Sequence, residues 1–142
     1  MRRHLAARYL LPDPRNALAE ALRRHASAAM DISDGLVGDF GKLCRASGVA
    51  ADIEVARVPL SKAGRAACAA EPKLIETALT GGDDFEVVAS IPPGKLSGFR
   101  AAAKRAGVPV TEIGRIAAGS GARFHAADGR LLTFAHASYS HF

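Results

Sequence analysis

"AAMDISDGLVGDFGKLCRASG", residues 28–48, carries two periodicities in succession. "AAMDI" reads as a short buried strand. From Gly35 onward Leu36, Phe40, Leu43 and Ser47 recur at helical spacing until Gly48 closes the pattern. The stretch is a strand running into a helix, with Asp31, Ser33 and Asp34 at the junction. In a strand, Met30 and Ile32 share one face while Asp31 and Ser33 share the other. Two oxygen-bearing side chains then point together from the strand end, with Asp34 just beyond.

Two chemical readings compete for this turn. Asp34 suits a helix N-cap, and Ser33 could serve next door. Capping accounts for one acid and leaves Asp31. Carboxylates grouped at a strand's carboxyl end repel one another unless a cation neutralises them. Mg²⁺ prefers such hard oxygens while keeping waters and substrate phosphates. Both readings stand at this level. Asp39, further along the helix, is expected to be a solvated helix residue.

A second dense stretch lies at residues 80–88, "TGGDDFEVV". Gly81 and Gly82 permit a tight turn or a close ligand approach before Asp83, Asp84 and Glu86. A plain Gly-Gly turn with solvated acids is the competing reading. Neither segment matches a glycine-rich phosphate loop or a dinucleotide fingerprint, so any phosphate contact here runs through metal. Phe85 and Ile32 are expected in the core.

Around these two segments the chain reads as alternating elements. Residues 12–26 form a helix entered through Pro14, with Leu18 and Leu22 on one stripe and an extended segment before it. "ADIEVARV" (51–58) alternates as a half-buried strand. Residues 61–79 are helical, with Ser61 as N-cap and a break at Pro72. A strand at 84–91, a helix at 94–107 closed by Gly107, and a strand at 108–116 follow. "ARFHA" and "RLLTFA" flank "ADG" as a terminal hairpin. Three strand-helix units between a leading helix and a hairpin predict an α+β fold or a mixed α/β sandwich.

Composition agrees with one compact unit. The chain has 142 residues, is 49% hydrophobic and 23% charged, and carries 14 Gly and 7 Pro, which is globular rather than disordered. No apolar run approaches the roughly 20 residues that a membrane span needs, and the amino-terminal residues lack a signal core, so a cytoplasmic protein without membrane contact is expected. Cys44 and Cys68 show no metal or redox spacing and read as packing residues. His25, His125, His136 and His141 likewise read as structural or exposed. The net charge of +5 comes from scattered Lys and Arg, with 6% aromatics and no nucleic-acid motif, which disfavours a nucleic-acid partner.

"MDISDGLVGDFGKLCRASGV" and "LTGGDDFEVV", with "PDPR" upstream, "EIGRI" downstream and "YSHF" at the end, together resemble thiamine-monophosphate kinase in order and spacing. The resemblance covers essentially the whole chain, residues 1–142. It is to the carboxyl-terminal half of that family, within the aminoimidazole ribonucleotide synthetase superfamily. It implies a single domain of that superfamily's C-terminal-domain type: α+β, a mixed sheet packed with helices and a C-terminal hairpin, with residues 1–27 as a leading segment and helix.

The resemblance also implies ATP-dependent phosphorylation of thiamine monophosphate to thiamine diphosphate, with Mg²⁺ bridging the phosphates. Carried over by motif, Asp31 and Asp34 are Mg²⁺ ligands and Ser33 an ATP contact. Asp83, usually Glu in the family, and Tyr139 contact the thiamine substrate. The family's amino-terminal domain, which supplies further metal-binding aspartates, much of the nucleotide site and the main homodimer surface, has no counterpart in these 142 residues. The expectation is therefore little or no kinase activity from this chain without that domain or a partner chain. A non-catalytic domain that binds a phosphorylated ligand or pairs with a partner is the alternative. Other synthetases of the superfamily are disfavoured by "YSHF".

Overall fold

The structure, a computed structural model, describes residues 2–82 and 85–136. Eleven regular elements follow in order: α1 (Arg2–Leu10), α2 (Ala19–His25), β1 (Ala28–Ile32), α3 (Leu36–Ala46), β2 (Ala50–Glu54), α4 (Lys62–Ala70), α5 (Leu74–Thr80), β3 (Glu86–Ser90), α6 (Leu96–Arg105), β4 (Gly114–Ala117) and β5 (Gly121–His125). Short 3₁₀ turns precede α2, follow β2 and precede α6. The three strand-helix units appear as read, and the fold is α+β.

The strands make two sheets. β1 and β3 pair antiparallel, with Ile32 opposite Glu86 and Ala28 opposite Ser90. β2 is central in a mixed sheet of three, antiparallel to β4 and parallel to β5. α3 lies against β1, β2 and β5, so its apolar stripe faces the main core. Leu36, Val37, Phe40 and Cys44 from α3 meet Ile32, Ile53, Leu79, Val88 and Phe124 there. Each large side chain removed from water in this way contributes about 1.5–3 kcal/mol. Phe134 adds an edge-on contact to Phe124, with ring centroids 5.6 Å apart. A second, smaller cluster joins α2 to α6 through Leu18, Ala21, Phe99 and Ala103.

Local signals account for most boundaries. Ser61 caps α4 by accepting the Gly64 N–H at 3.0 Å. α4 ends at Ala70 and α5 begins at Leu74, either side of Pro72. α3 and α6 are closed by Gly48 and Gly107, both with positive φ.

The helix read over 12–26 is shorter, a 3₁₀ turn at Asn16–Leu18 followed by α2, and the strand read over 51–58 ends at Glu54 in a 3₁₀ turn. Three elements depart further from the sequence reading. The segment expected to be extended before Pro12 is helix α1, in which seven of nine residues are Arg, Ala or Leu, all good helix formers. The strand expected over 108–116 shrinks to four residues from Gly114. Pro109 has no N–H for a ladder, Val108 and Val110 pack onto the α2–α6 cluster, and Ile113 packs onto the main core. The terminal hairpin is cut to one bridge, His125 with Leu131, around a turn in which Ala126 N–H donates to the Arg130 carbonyl at 2.9 Å.

Gly114 shows why β4 begins where it does. A Cβ on this residue would lie 2.0 Å from the Asp52 carbonyl oxygen of the central strand. Gly114→Ala is therefore expected to cost about 1–3 kcal/mol. Urea unfolding measures it, and a loss below about 0.5 kcal/mol would mean that β4 can shift freely.

Candidate functional site

The turn between β1 and α3 is built around one buried carboxylate. Asp39, in the first turn of α3, is 2% exposed. Its Oδ2 accepts the backbone N–H of Ser33 at 2.9 Å and of Asp34 at 2.8 Å. Its Oδ1 faces the Lys42 ammonium at 3.1 Å, and the same ammonium lies 3.2 Å from Asp34 Oδ2. Burial alone would push the Asp39 carboxyl up. The Asp34 N–H, the Lys42 ammonium and the Ser33 N–H outweigh it and hold the group below the ordinary aspartate range. Lys42 is in turn held above the ordinary lysine range, by Asp39 first and Asp34 second.

Asp39 is thus not the solvated helix residue expected from sequence. A charge among apolar neighbours is tolerated here because donors meet both oxygens. Nor does Asp34 cap α3. The N-cap position is Gly35, without a side-chain cap, and Asp34 is turned to Lys42. The alternation read for β1 holds: Asp31 and Ser33 are exposed, Met30 is half-buried and Ile32 is buried.

Described residues on either side of Asp83 and Asp84 are brought against the first stretch. Gly35 has φ +102, and a Cβ there would meet the carbonyl carbon of Thr80 at 2.7 Å and the Gly81 oxygen at 2.9 Å. The turn after β1 therefore rests directly on the backbone leading out of α5. In the β1–β3 ladder Glu86 stands opposite Ile32. Phe85, expected in the core, is 43% exposed and adopts φ +53, a conformation that an L-residue with a bulky side chain rarely holds. Asp83 and Tyr139, the other two candidate residues, lie outside the described residues.

Two further residues belong to this neighbourhood. Arg15, from "PDPR", grips Glu86 with both arms of its guanidinium, Nε to Oε2 at 3.0 Å and Nη2 to Oε1 at 2.6 Å. A bidentate pair of this kind fixes direction as well as distance. It fastens the segment before α2 to the first residue of β3. Two histidines lie in groupings of another kind. Asp52 bridges Arg123 and His125 across the β2–β5 pair, and His25 lies edge-on to Phe99. Both read as structural.

The family of AIR synthase related proteins, C-terminal domain, matches residues 5–126. The chain belongs to that family. It is 41% identical over 117 residues to thiamine-monophosphate kinase of Caulobacter vibrioides, a match spanning 80% of this chain and 33% of that one. The crystal structure of thiamine-monophosphate kinase from Stenotrophomonas maltophilia K279a superposes with a TM-score of 0.80 at 36% identity, covering 91% of this chain and 40% of that one. The structure of AaThiL complexed with AMPPCP and TMP superposes with a TM-score of 0.76 at 33% identity, covering 98% and 41%. The chain therefore spans between a third and about two fifths of the length of these relatives.

The donor set at the turn suits a hard divalent cation. Asp31 and Asp34 offer carboxylate oxygens, and an ammonium already stands at Asp34, which marks the place as one that draws positive charge. Among the described residues no three Asp, Glu, His or Cys side chains gather into a closed metal cage. Mg²⁺ does not need one, since it commonly takes one or two carboxylates and completes its shell with water and phosphate oxygens.

Asp39 gives a pH test. Its folded carboxyl titrates below the ordinary 3.8, so its stabilising contribution is complete above that value and is lost as pH falls through the lower folded value. Denaturant unfolding of the wild type and of Asp39→Asn, compared from about pH 6 to about pH 2.5, should show a stability gap that closes towards the acid end. A gap of constant size would exclude Asp39 as its source. Asp39→Ala, which also orphans two backbone donors, should cost about 2 kcal/mol or more at neutral pH.

Proposed function

We propose that this chain is the C-terminal part of an ATP-dependent kinase that phosphorylates thiamine monophosphate to thiamine diphosphate. The observation that carries the reading is the seating of Gly35 on Thr80 and Gly81, which joins the turn after β1 to the backbone that leads into the second acidic stretch. Kinship with thiamine-monophosphate kinases, and the AMPPCP and TMP held by AaThiL, support ATP and thiamine monophosphate as the ligands.

In this reading Asp31 and Asp34 hold Mg²⁺ and Ser33 contacts ATP. Asp83 and Tyr139 contact the thiamine substrate. Mg²⁺ supplies neutralisation of the phosphate charge when bound. Phosphoryl transfer depends more on such neutralisation and on alignment than on a protein acid or base. The contribution of this chain is then geometric. Asp39 pulls the 33–34 backbone inward, which leaves Asp31 and Ser33 on the outer face of the strand end. Arg15 and Glu86 fix β3 beside it.

The nucleotide site is completed by the rest of the kinase, in one chain or in a partner, and the full-length enzyme is a homodimer in the cytoplasm. The 142-residue chain alone therefore binds its ligands weakly and turns over little or nothing.

Calorimetric titration of the chain with Mg-ATP and with thiamine monophosphate tests this. Mg²⁺-dependent heat that disappears in Asp31→Asn and Asp34→Asn, and thiamine monophosphate binding weakened at least about tenfold in Asp83→Asn, are the expected results. Ligand binding indifferent to Mg²⁺ and to these substitutions would overturn the assignment. Brisk turnover by the chain alone would overturn its dependence on a second part.

A further inference from the structure

One ammonium, that of Lys42, already serves the carboxylate assigned above to the metal. It lies 3.2 Å from Asp34 Oδ2 and 3.1 Å from Asp39 Oδ1. The two carboxylates differ in access. The Asp39 side chain is 2% exposed and has its other oxygen occupied by two backbone N–H groups, whereas the Asp34 side chain is 40% exposed. A hydrated divalent ion can reach only the second.

We propose that Lys42 is a resident counter-ion of Asp34 that a divalent cation displaces: Asp34 passes to the metal while Lys42 stays with Asp39. The inference rests on Asp34 being a metal ligand. Three features support it. The lysine side chain is 51% exposed and flexible, so leaving Asp34 disturbs little packing. Its positive charge opposes a second cation at the same oxygens, so a metal and the lysine cannot both hold Asp34 closely. Without metal, the ammonium offsets the mutual repulsion of neighbouring carboxylates and keeps the turn in a single geometry. The hand-over makes this turn ordered before it is loaded and lowers its affinity for the cation, a regulatory property of the site itself.

Mn²⁺ is the probe, its free concentration followed by electron paramagnetic resonance during titration with the 142-residue chain. Lys42→Gln removes the charge but keeps an N–H donor for Asp39, and it should bind Mn²⁺ about threefold to tenfold more tightly than wild type. Lys42→Arg keeps the charge and should stay within about twofold of wild type. In wild-type chain carrying ¹³C-lysine, the Lys42 signal should move during Mg²⁺ titration with the same half-saturation as binding. A folded Lys42→Gln with unchanged or weaker affinity overturns the hand-over and leaves the metal site standing. So does a Lys42 signal unmoved at saturating Mg²⁺, which needs no variant to fold. Absence of Mn²⁺ binding in wild type and variants alike, or binding that survives Asp34→Asn, overturns the metal site and the hand-over together.

Discussion

A carboxylate sealed from water must be met by donors, and the way Asp39 is met shapes everything around it. Its two backbone bonds reach from the first turn of α3 to the residues just past β1. They bend the chain where a strand has to become a helix, doing from inside the helix what an N-cap does from its start. With residues 33 and 34 drawn inward, Gly35 takes its positive φ and lies close enough to Thr80 that no Cβ fits between them. Packing of α3 against β1, β2 and β5, and the meeting of the two acid-bearing segments, both follow from that bend. A buried charge of this kind is weak evidence for stability by itself. Here its importance is directional, because few other groups could tie those two peptide N–H groups to the helix.

The local grammar of the fold was legible in the sequence, and its tertiary relations were not. Gly48, Ser61, Pro72 and Gly107 each announced a boundary through their own chemistry, and the alternation of Asp31 with Met30 and Ile32 placed the strand's faces. Asp39 was misread because an acid on a helix is usually solvated. The signal against that reading was present: Asp39 lies three residues after Leu36 and four before Leu43, on the apolar stripe rather than opposite it. Helix α1 gave no stripe to find, since Leu10 and Leu11 at its end are 72% and 78% exposed. The Val108–Ile113 stretch looked like a strand because its Val and Ile residues are apolar. Two separate cores claim those side chains, which cannot be read from one segment.

The same limit applies to the candidate site. Asp31, Ser33 and Asp34 could be singled out because they are neighbours in sequence. That the Gly81 backbone touches Gly35, or that Arg15 grips Glu86 across 71 positions, is a property of the folded chain alone. The excess of positive charge also changes meaning once folded. Arg15, Arg23, Arg24, Arg57, Arg100 and Arg123 are engaged with acids of the same chain, so part of the basic charge behind the pI of about 9.7 is spent within the fold.

The division of the interior into a main core and a separate α2–α6 cluster sets how the molecule breathes. Four buried residues hold the smaller cluster, against eleven in the larger. Opening of α2 from α6 thus requires far less apolar surface to meet water than loss of α3 from the sheets. Amide hydrogens of α3 and β2 should exchange with solvent only through whole-molecule unfolding, while those of α2 and α6 escape through a smaller, more frequent excursion. The Arg15–Glu86 clamp sits on the seam between these two regimes. The rigid regime includes the turn that carries Asp31, Ser33 and Asp34, so an opening of α2 from α6 can proceed while that turn keeps its geometry.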